Sequence, residues 1–315
     1  MTKKIIAIGN AIVDIVCSVD DAFLENNALV KGSMSLIDEK IAEKLSKLKV
    51  EKITSGGSAS NTIAALAQFG KSAAFIGRVG DDEFGARFVG EIEKDNASFI
   101  GAVSRGENSG KSFILVTPDA QRTMCTFLGC APNISQDLVN EKDFKNLEIF
   151  YTEGYLWDSG QNSEVLLRAI NIAKNNGAKI AFSLSDAFCV SRHKKDFLEL
   201  IANKIDIIFA NENEALELVE AKNFEDKKLR DFFNKSPEKI FIVTRCEKGC
   251  AIFHMGKMIE ISAAKIAKII DSTGAGDAFA AGFLNKFLEN ESLENCGESG
   301  NELAGKIIQQ FGARF

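Results

Sequence analysis

Short, predominantly apolar runs of strand length alternate with helical segments along most of this chain, and that alternation narrows its fold to a few architectures. Residues 4–8, 73–76, 149–152, 179–183, 205–210 and 240–244 are the strand-like runs. Residues 61–69, 84–95, 163–175, 196–202 and 212–219 read as helices between them. Repeated βα units of this kind predict an α/β fold, a mostly parallel, Rossmann-like sheet flanked by helices on both faces. Residues 11–37 and 99–130 break the rhythm with short β-rich runs and no long helix. They interrupt the one large domain made of 1–10, 38–98 and 131–315. With only three prolines, no internal repeat and no low-complexity linker, nothing in the sequence argues for a chain of separate domains.

Composition removes several classes of function. A formal charge of −6 provides no broad basic face for a nucleic-acid backbone. No apolar run reaches the length of a membrane span, and the first ten residues break too early for a signal peptide. Seven cysteines is an odd number for a disulfide framework. They read mainly as core residues, and the expected setting is the cytoplasm, as a monomer or homodimer without nucleic-acid or membrane partners.

The chemistry is concentrated in Asp271-Ser272-Thr273-Gly274-Ala275-Gly276-Asp277-Ala278-Phe279-Ala280-Ala281-Gly282-Phe283. The apolar-rich residues 265–270 before it read as the end of a strand, and the alanine-rich residues after it favour helix. Gly274, Ala275 and Gly276 therefore fall where unpaired amides and the helix dipole attract an anion, and glycine admits phosphate oxygens without a Cβ clash. An acid beside such a trap repels an anion, so Asp277 makes sense there if it accepts a proton from an attacking hydroxyl. Taken alone, the same aspartate fits equally well as a dipole-matched residue of the first helical turn.

Competing signals are weaker. Gly106-Glu107-Asn108-Ser109-Gly110-Lys111-Ser112 nearly spells a phosphate-binding Walker loop, but Arg105 stands where its first glycine belongs. It also runs into the β-rich Phe113-Ile114-Leu115-Val116 rather than a helix, so a hairpin turn is expected. Cys246, Cys250 and His254 lack the fourth ligand and close cysteine pairing of a structural zinc site. Two histidines and no Gly-x-Ser-x-Gly elbow leave little for a hydrolase triad. Gly9-Asn10-Ala11, after the first strand, does not supply the glycine fingerprint of a dinucleotide-dependent oxidoreductase.

Four segments, in order and at matching spacing, resemble the ribokinase-like (PfkB) sugar and nucleoside kinase family: Gly56-Gly57-Ser58-Ala59-Ser60-Asn61-Thr62, Gly77-Arg78-Val79-Gly80-Asp81-Asp82-Glu83-Phe84-Gly85, Asn211-Glu212-Asn213-Glu214, and Asp271 to Asp277. The resemblance covers essentially the whole chain. It implies a ribokinase-like fold whose inserted small sheet is a lid over the substrate. Asp277 is then the general base, Gly274, Ala275 and Gly276 the anion hole, and Arg122 the lid cation for the transferring phosphate. Asp14 and Asn61 hydrogen-bond acceptor hydroxyls, with Gly56 and Gly57 letting the backbone close against the sugar. Asn211 and Glu214, one helical turn apart, serve Mg²⁺ through water. Val243-Thr244-Arg245-Cys246-Glu247-Lys248-Gly249 resembles the nucleotide loop, with Thr244 and Gly249 matching and Cys246 in place of a glycine. Residues 300–308, including Ala304 and Ile308, resemble the helix that closes over adenine. ATP and Mg²⁺ are the implied cofactors, and Asp271 is a candidate ligand for a monovalent cation such as K⁺.

The acceptor is less tightly specified, because nucleosides, ribose and fructose are all substrates within this family. Residues 9–16, 19–24 and 153–157 resemble its adenosine-kinase-like branch. Tyr155 falls where nucleoside kinases stack an aromatic on the base. Met34 departs from that branch, which places a polar, base-contacting residue there. The sequence expectation is transfer of the γ-phosphate of ATP to the 5′ hydroxyl of adenosine, with a free-sugar kinase as the alternative.

Overall fold

Strand β1 (Ile5–Ile8) has all four side chains fully buried. Ile6 and Ile8 enter one hydrophobic cluster while Ile5 and Ala7 enter another on the opposite face. A strand apolar on both faces needs a layer on each side, and the sheet has them. The computed structural model describes residues 4–119, 121–159 and 163–315. Positions 1–3 of the expected large domain and position 120 of the expected insert lie outside these.

Along the chain, β1 is followed by β2 (Ile12–Ser18), α1 (Asp21–Asn26), β3 (Met34–Leu36), α2 (Glu39–Leu45), β4 (Val50–Ser55) and α3 (Ser58–Gln68). Next come β5 (Ala73–Gly80), α4 (Glu83–Lys94), β6 (Ser98–Ser104), β7 (Gly110–Val116) and β8 (Arg122–Phe127). Then follow β9 (Ile149–Glu153), α5 (Ser163–Asn175), β10 (Lys179–Ser183), α6 (Ala187–Asn203), β11 (Ile207–Asn211), α7 (Glu212–Val219) and α8 (Lys227–Asn234). The last elements are β12 (Ile240–Thr244), β13 (Cys250–His254), β14 (Lys257–Ile261), α9 (Ala275–Phe287) and α10 (Leu293–Ile307).

Nine strands form the large sheet in the order β14-β13-β12-β11-β10-β9-β1-β5-β6. All pair in parallel except at the edge, where β12–β13 and β13–β14 are antiparallel. From β1 the chain builds outward through β5 and β6, then returns to β9 and builds the other way. That reversal opens a crevice at the carboxyl ends of β1 and β9, where ligands bind in open α/β sheets.

The second sheet has the order β3-β8-β7-β2-β4. One face packs Ile15, Cys17, Phe113, Leu115 and Cys125 against Leu24 of α1 and Ala42 and Leu45 of α2. Register puts Asp14, Ser112, Thr126 and Leu36 in one cross-strand row of the other face, and Val16, Ile114, Met124 and Met34 in the next.

Five expectations are corrected. Residues 50–55, assigned to the large domain, form β4 and pair with β2 in the small sheet. Residues 99–104, assigned to the insert, belong to β6 and pair with β5 in the large sheet. The turn near Gly106 is therefore no hairpin, since it carries the chain from one sheet to the other. Residues 265–270 end no strand: Ile269 is 62% exposed, and the amides of Ile270 and Asp271 bond to the Ile308 carbonyl beyond α10. Helix α6 also starts nine residues before the expected 196, because Asp186 caps it through the Cys189 amide at 2.7 Å.

Helix α9 is anchored by aromatics. The Phe283 ring meets Phe209 of β11 edge-on at 5.5 Å, and Phe279 meets it at 6.4 Å. Such pairs contribute about 0.5–1.5 kcal/mol each beyond area burial. This holds the start of α9 in a fixed direction over the crevice.

Candidate active site

Two helix N-termini converge on the crevice, and each starts at a glycine in the left-handed region. Gly57 precedes α3 at φ +84° and Gly274 precedes α9 at φ +75°. Neither helix has a side-chain cap, and at the start of α9 only the Ala275 amide reaches a nearby carbonyl, that of Ser272 at 3.3 Å, which leaves the Gly276 amide for an outside acceptor. Asp277 stands in the first turn of α9, half-buried. Its Oδ1 accepts from Ser58 Oγ at 2.7 Å and its Oδ2 from Asn61 Nδ2 at 2.9 Å. Burial raises its carboxyl above the usual aspartate range, while those two hydrogen bonds and the charge of Arg314 pull it back. A base tuned upward in this way suits proton abstraction near neutral pH.

Asp14 of β2 lies beside it, 8% exposed. Among the described residues, no hydrogen-bond donor reaches its carboxylate. Burial chiefly raises it to about 7, opposed by Arg314 and reinforced by Asp277. A Cβ added to Gly56 would come within 2.3–2.5 Å of that carboxyl group. Gly57 is equally confined, its added Cβ meeting the Asn10 carbonyl at 2.5 Å. The pair of glycines thus lets Asp14 and the β1 exit close on the α3 terminus. Asn61, expected on the acceptor, instead spends its amide on Asp277.

Glu153, at the end of β9, is 1% exposed and ties the crevice together. It accepts from the amides of Asn10 at 3.0 Å and Ala59 at 2.6 Å, joining the β1 exit to α3. Burial raises it to about 7, and burial does the same to Glu214. With Asp14, three carboxyls keep protons in the folded state that the unfolded chain releases above about pH 4. Stability should therefore fall as pH rises through the window from about 4 to 7. The expected melting temperature of the ligand-free protein is lower at pH 8 than at pH 5.5; a flat or rising profile would contradict these burials.

Arg122 reaches across from β8 to the Asp271–Gly276 loop, where its guanidinium pairs with Asp271 and with the Thr273 hydroxyl. The Asp271 oxygens also accept from the amides of Thr273 and Gly312, each at 2.7 Å. Protein donors thus occupy the carboxylate that sequence suggested for a monovalent cation. Asn211 and Glu214 form a reciprocal cap on α7: Asn211 Oδ1 accepts from the Glu214 amide at 2.9 Å, and Glu214 Oε2 from the Asn211 amide at 3.0 Å. Asp186 interacts electrostatically with Glu214, and its buried Oδ2 has no partner.

Tyr155 stands at the β1 exit, its carbonyl accepting from Asn10 Nδ2 at 3.3 Å. Its hydroxyl points to the Ser185 carbonyl at 3.5 Å, beside Asp186 and Glu214. Thr244 pairs in register with Asn211 at the sheet's carboxyl edge. Gly249, at φ +83°, allows the 261–263 backbone to cross where its Cβ would stand, 2.0 Å from the Ile261 carbonyl. Cys246 adopts φ +49°, a conformation that glycine takes without strain. Ala304 and Ile308 lie half-buried on and just after α10, against the same cluster as α9.

The pfkB family carbohydrate kinase profile matches residues 6–315. The chain belongs to that family. The solved adenosine kinase of Sinorhizobium meliloti superposes with a TM-score of 0.94 at 37% identity, covering 100% of this chain and 96% of that one. A probable sugar kinase protein from Rhizobium etli gives 0.92 at 36%, with the same coverage. Adenosine kinase of Saccharomyces cerevisiae is 27% identical over 344 residues, covering 100% of this chain and 97% of the relative. This pfkB family member is accordingly a phosphotransferase with an alcohol acceptor, a nucleoside or sugar kinase on a ribokinase-like α/β fold.

Three site residues escape motif reading of this kinase. Ser58 stands one helical turn before Asn61, so i, i+3 spacing was a usable signal for a shared face. Glu153 ends a buried apolar strand, where an acid is costly unless it is bonded, and that too was legible. Arg314 carries no local signal at all. Six of the seven cysteines are buried, all seven are free, and among the described residues no helix is long and apolar enough to cross a membrane.

Proposed function

We propose that this protein transfers the γ-phosphate of ATP to the 5′ hydroxyl of a nucleoside, adenosine before others. The observation that carries the reading is the Asp14 carboxylate, buried and without a protein donor, next to Asp277 and the uncapped start of α9. A carboxylate in that state accepts two adjacent hydroxyls, and a buried site rejects acceptors that leave it unpaired. The row Val16, Ile114, Met124 and Met34 runs beside the Asp14 row on the same face of the small sheet. It offers a flat apolar surface adjacent to the diol site, as a purine requires. The adenosine kinases among the relatives support the same choice.

In the reaction, Asp277 takes the proton from the acceptor hydroxyl while Ser58 and Asn61 hold its carboxylate in place. The amides of Gly274, Ala275 and Gly276 meet the negative charge that develops on the transferring group. Arg122 brings its positive charge to the same loop from the small sheet, which then works as a lid. The hard oxygens of Glu214 and the unpartnered Asp186 Oδ2 fit Mg²⁺ through water, with Asn211 orienting Glu214. Bound with ATP, Mg²⁺ neutralises charge on the β- and γ-phosphoryl groups. Thr244, Gly249, Ala304 and Ile308 border the nucleotide side, and a kinase so equipped works in the cytoplasm.

One placement favours a free sugar instead: the Tyr155 hydroxyl is directed to the Ser185 carbonyl, beside Asp186. Release of ADP with adenosine, inosine, guanosine, cytidine, ribose and fructose decides between the two. Adenosine should exceed the other acceptors by at least about tenfold in kcat/KM. Turnover with ribose or fructose alone would move the protein to the sugar kinases.

A further inference from the structure

The segment that follows α10 is built into the catalytic crevice. Its Gly312 amide donates to Asp271, Ala313 is buried beneath Gly274, and the Phe311 carbonyl accepts from Lys52 of β4 at 2.9 Å. Arg314 then turns inward, its side chain only 9% exposed. Nε donates to Asn61 Oδ1 at 3.2 Å, Nη1 pairs with Asp95 at 3.4 Å, and Nη2 donates to the Ser60 hydroxyl. The guanidinium also stands 5.9 Å from the centre of the Phe88 ring.

An amide side chain fits a site in two flipped orientations, and only one of them donates to Asp277. With Arg314 donating to Asn61 Oδ1, the Asn61 Nδ2 is left facing the Asp277 carboxylate at 2.9 Å. The flipped amide would set its NH₂ against a guanidinium and its oxygen against a carboxylate. We propose that Arg314 is a positioning residue for phosphoryl transfer, locking the Asn61 amide so that the base keeps one orientation and stays ionised. The proposal rests on the reading of Asp277 as that base.

Asp277 is faced by Asp14 of β2, Tyr151 and Glu153 of β9, Glu214 of α7 and Arg314. Arg314 is faced by Glu91 of α4 and Asp95 just after it, as well as Asp14 and Asp277. Its positive charge acts on Asp277 and lowers that carboxyl. Removing the charge moves Asp277 upward. It also moves Asp14 upward, so kcat is read at saturating acceptor, where Asp14 is covered.

The test measures kcat against pH at saturating adenosine and ATP for the wild type, Arg314→Gln, Arg314→Lys and Asp277→Asn, with melting temperatures alongside. Arg314→Gln should lose about tenfold in kcat with KM for ATP unchanged, and its acid limb should move to higher pH. Arg314→Lys keeps the charge but not the fork, so it should lose kcat while its acid limb stays near that of the wild type. An unshifted limb in Arg314→Gln, with activity lost only in step with melting temperature, overturns the proposal and leaves the base assignment standing. Full turnover in Asp277→Asn overturns the base assignment and this inference with it.

Discussion

Asp277→Asn is expected to reduce kcat by about 10³-fold while leaving the melting temperature at pH 7 unchanged or slightly higher. Asparagine keeps the shape of the side chain. Its oxygen can accept from Asn61 Nδ2, and its NH₂ can donate to the Ser58 hydroxyl, which rotates to accept. No buried group is orphaned. The change also removes a carboxylate whose ionisation burial opposes, so it relieves a cost of folding rather than adding one. Activity and stability thus part company, which is the signature of a residue kept for chemistry. KM for the acceptor should stay within about threefold, since Asp14 is untouched. A variant retaining a tenth or more of wild-type kcat would rule out a role for Asp277 as base.

How much of this was legible in the sequence depended on whether the cause was local. Strands such as Ile240–Thr244 and helices such as Glu212–Val219 match their expected spans because burial on both faces and an Asn-x-x-Glu cap are written in consecutive residues. The sheet a strand joins is not written there. Val50–Ser55 and residues 99–104 were assigned to the wrong bodies because pairing partners are chosen by tertiary packing, to which strand composition is nearly blind. The site divides along the same line. Asp277 and its glycines occupy a single helix start, and their chemistry can be argued from spacing. Asn61 was given to the acceptor, and its bond to Asp277 was not legible because it crosses 216 positions. Arg314 lies 253 positions from Asn61 in a segment with no motif, so only the folded chain joins them.

Gly274→Ala is expected to lower kcat/KM by about 10²-fold or more. Two effects add. At φ +75° an alanine is held in the left-handed region, at a cost of roughly 1–2 kcal/mol. Its Cβ would also stand 2.5 Å from the Ala313 Cβ and 2.8 Å from the Ala313 Cα, so the segment after α10 must give way. Moving that segment withdraws the Gly312 amide from Asp271 and Arg314 from Asn61, which disturbs the anion loop and the base together. Gly276→Ala is the internal control, because nothing lies within 4 Å of an added Cβ there. Its melting temperature should stay near that of the wild type, whereas that of Gly274→Ala should fall by several degrees. Adding Ala313→Gly to Gly274→Ala should restore part of both losses, since one of the two clashing groups is gone while the close Cα remains. Strictly additive losses in the double variant would show that the 311–315 segment does not transmit the damage, and the effect would then belong to the φ angle alone.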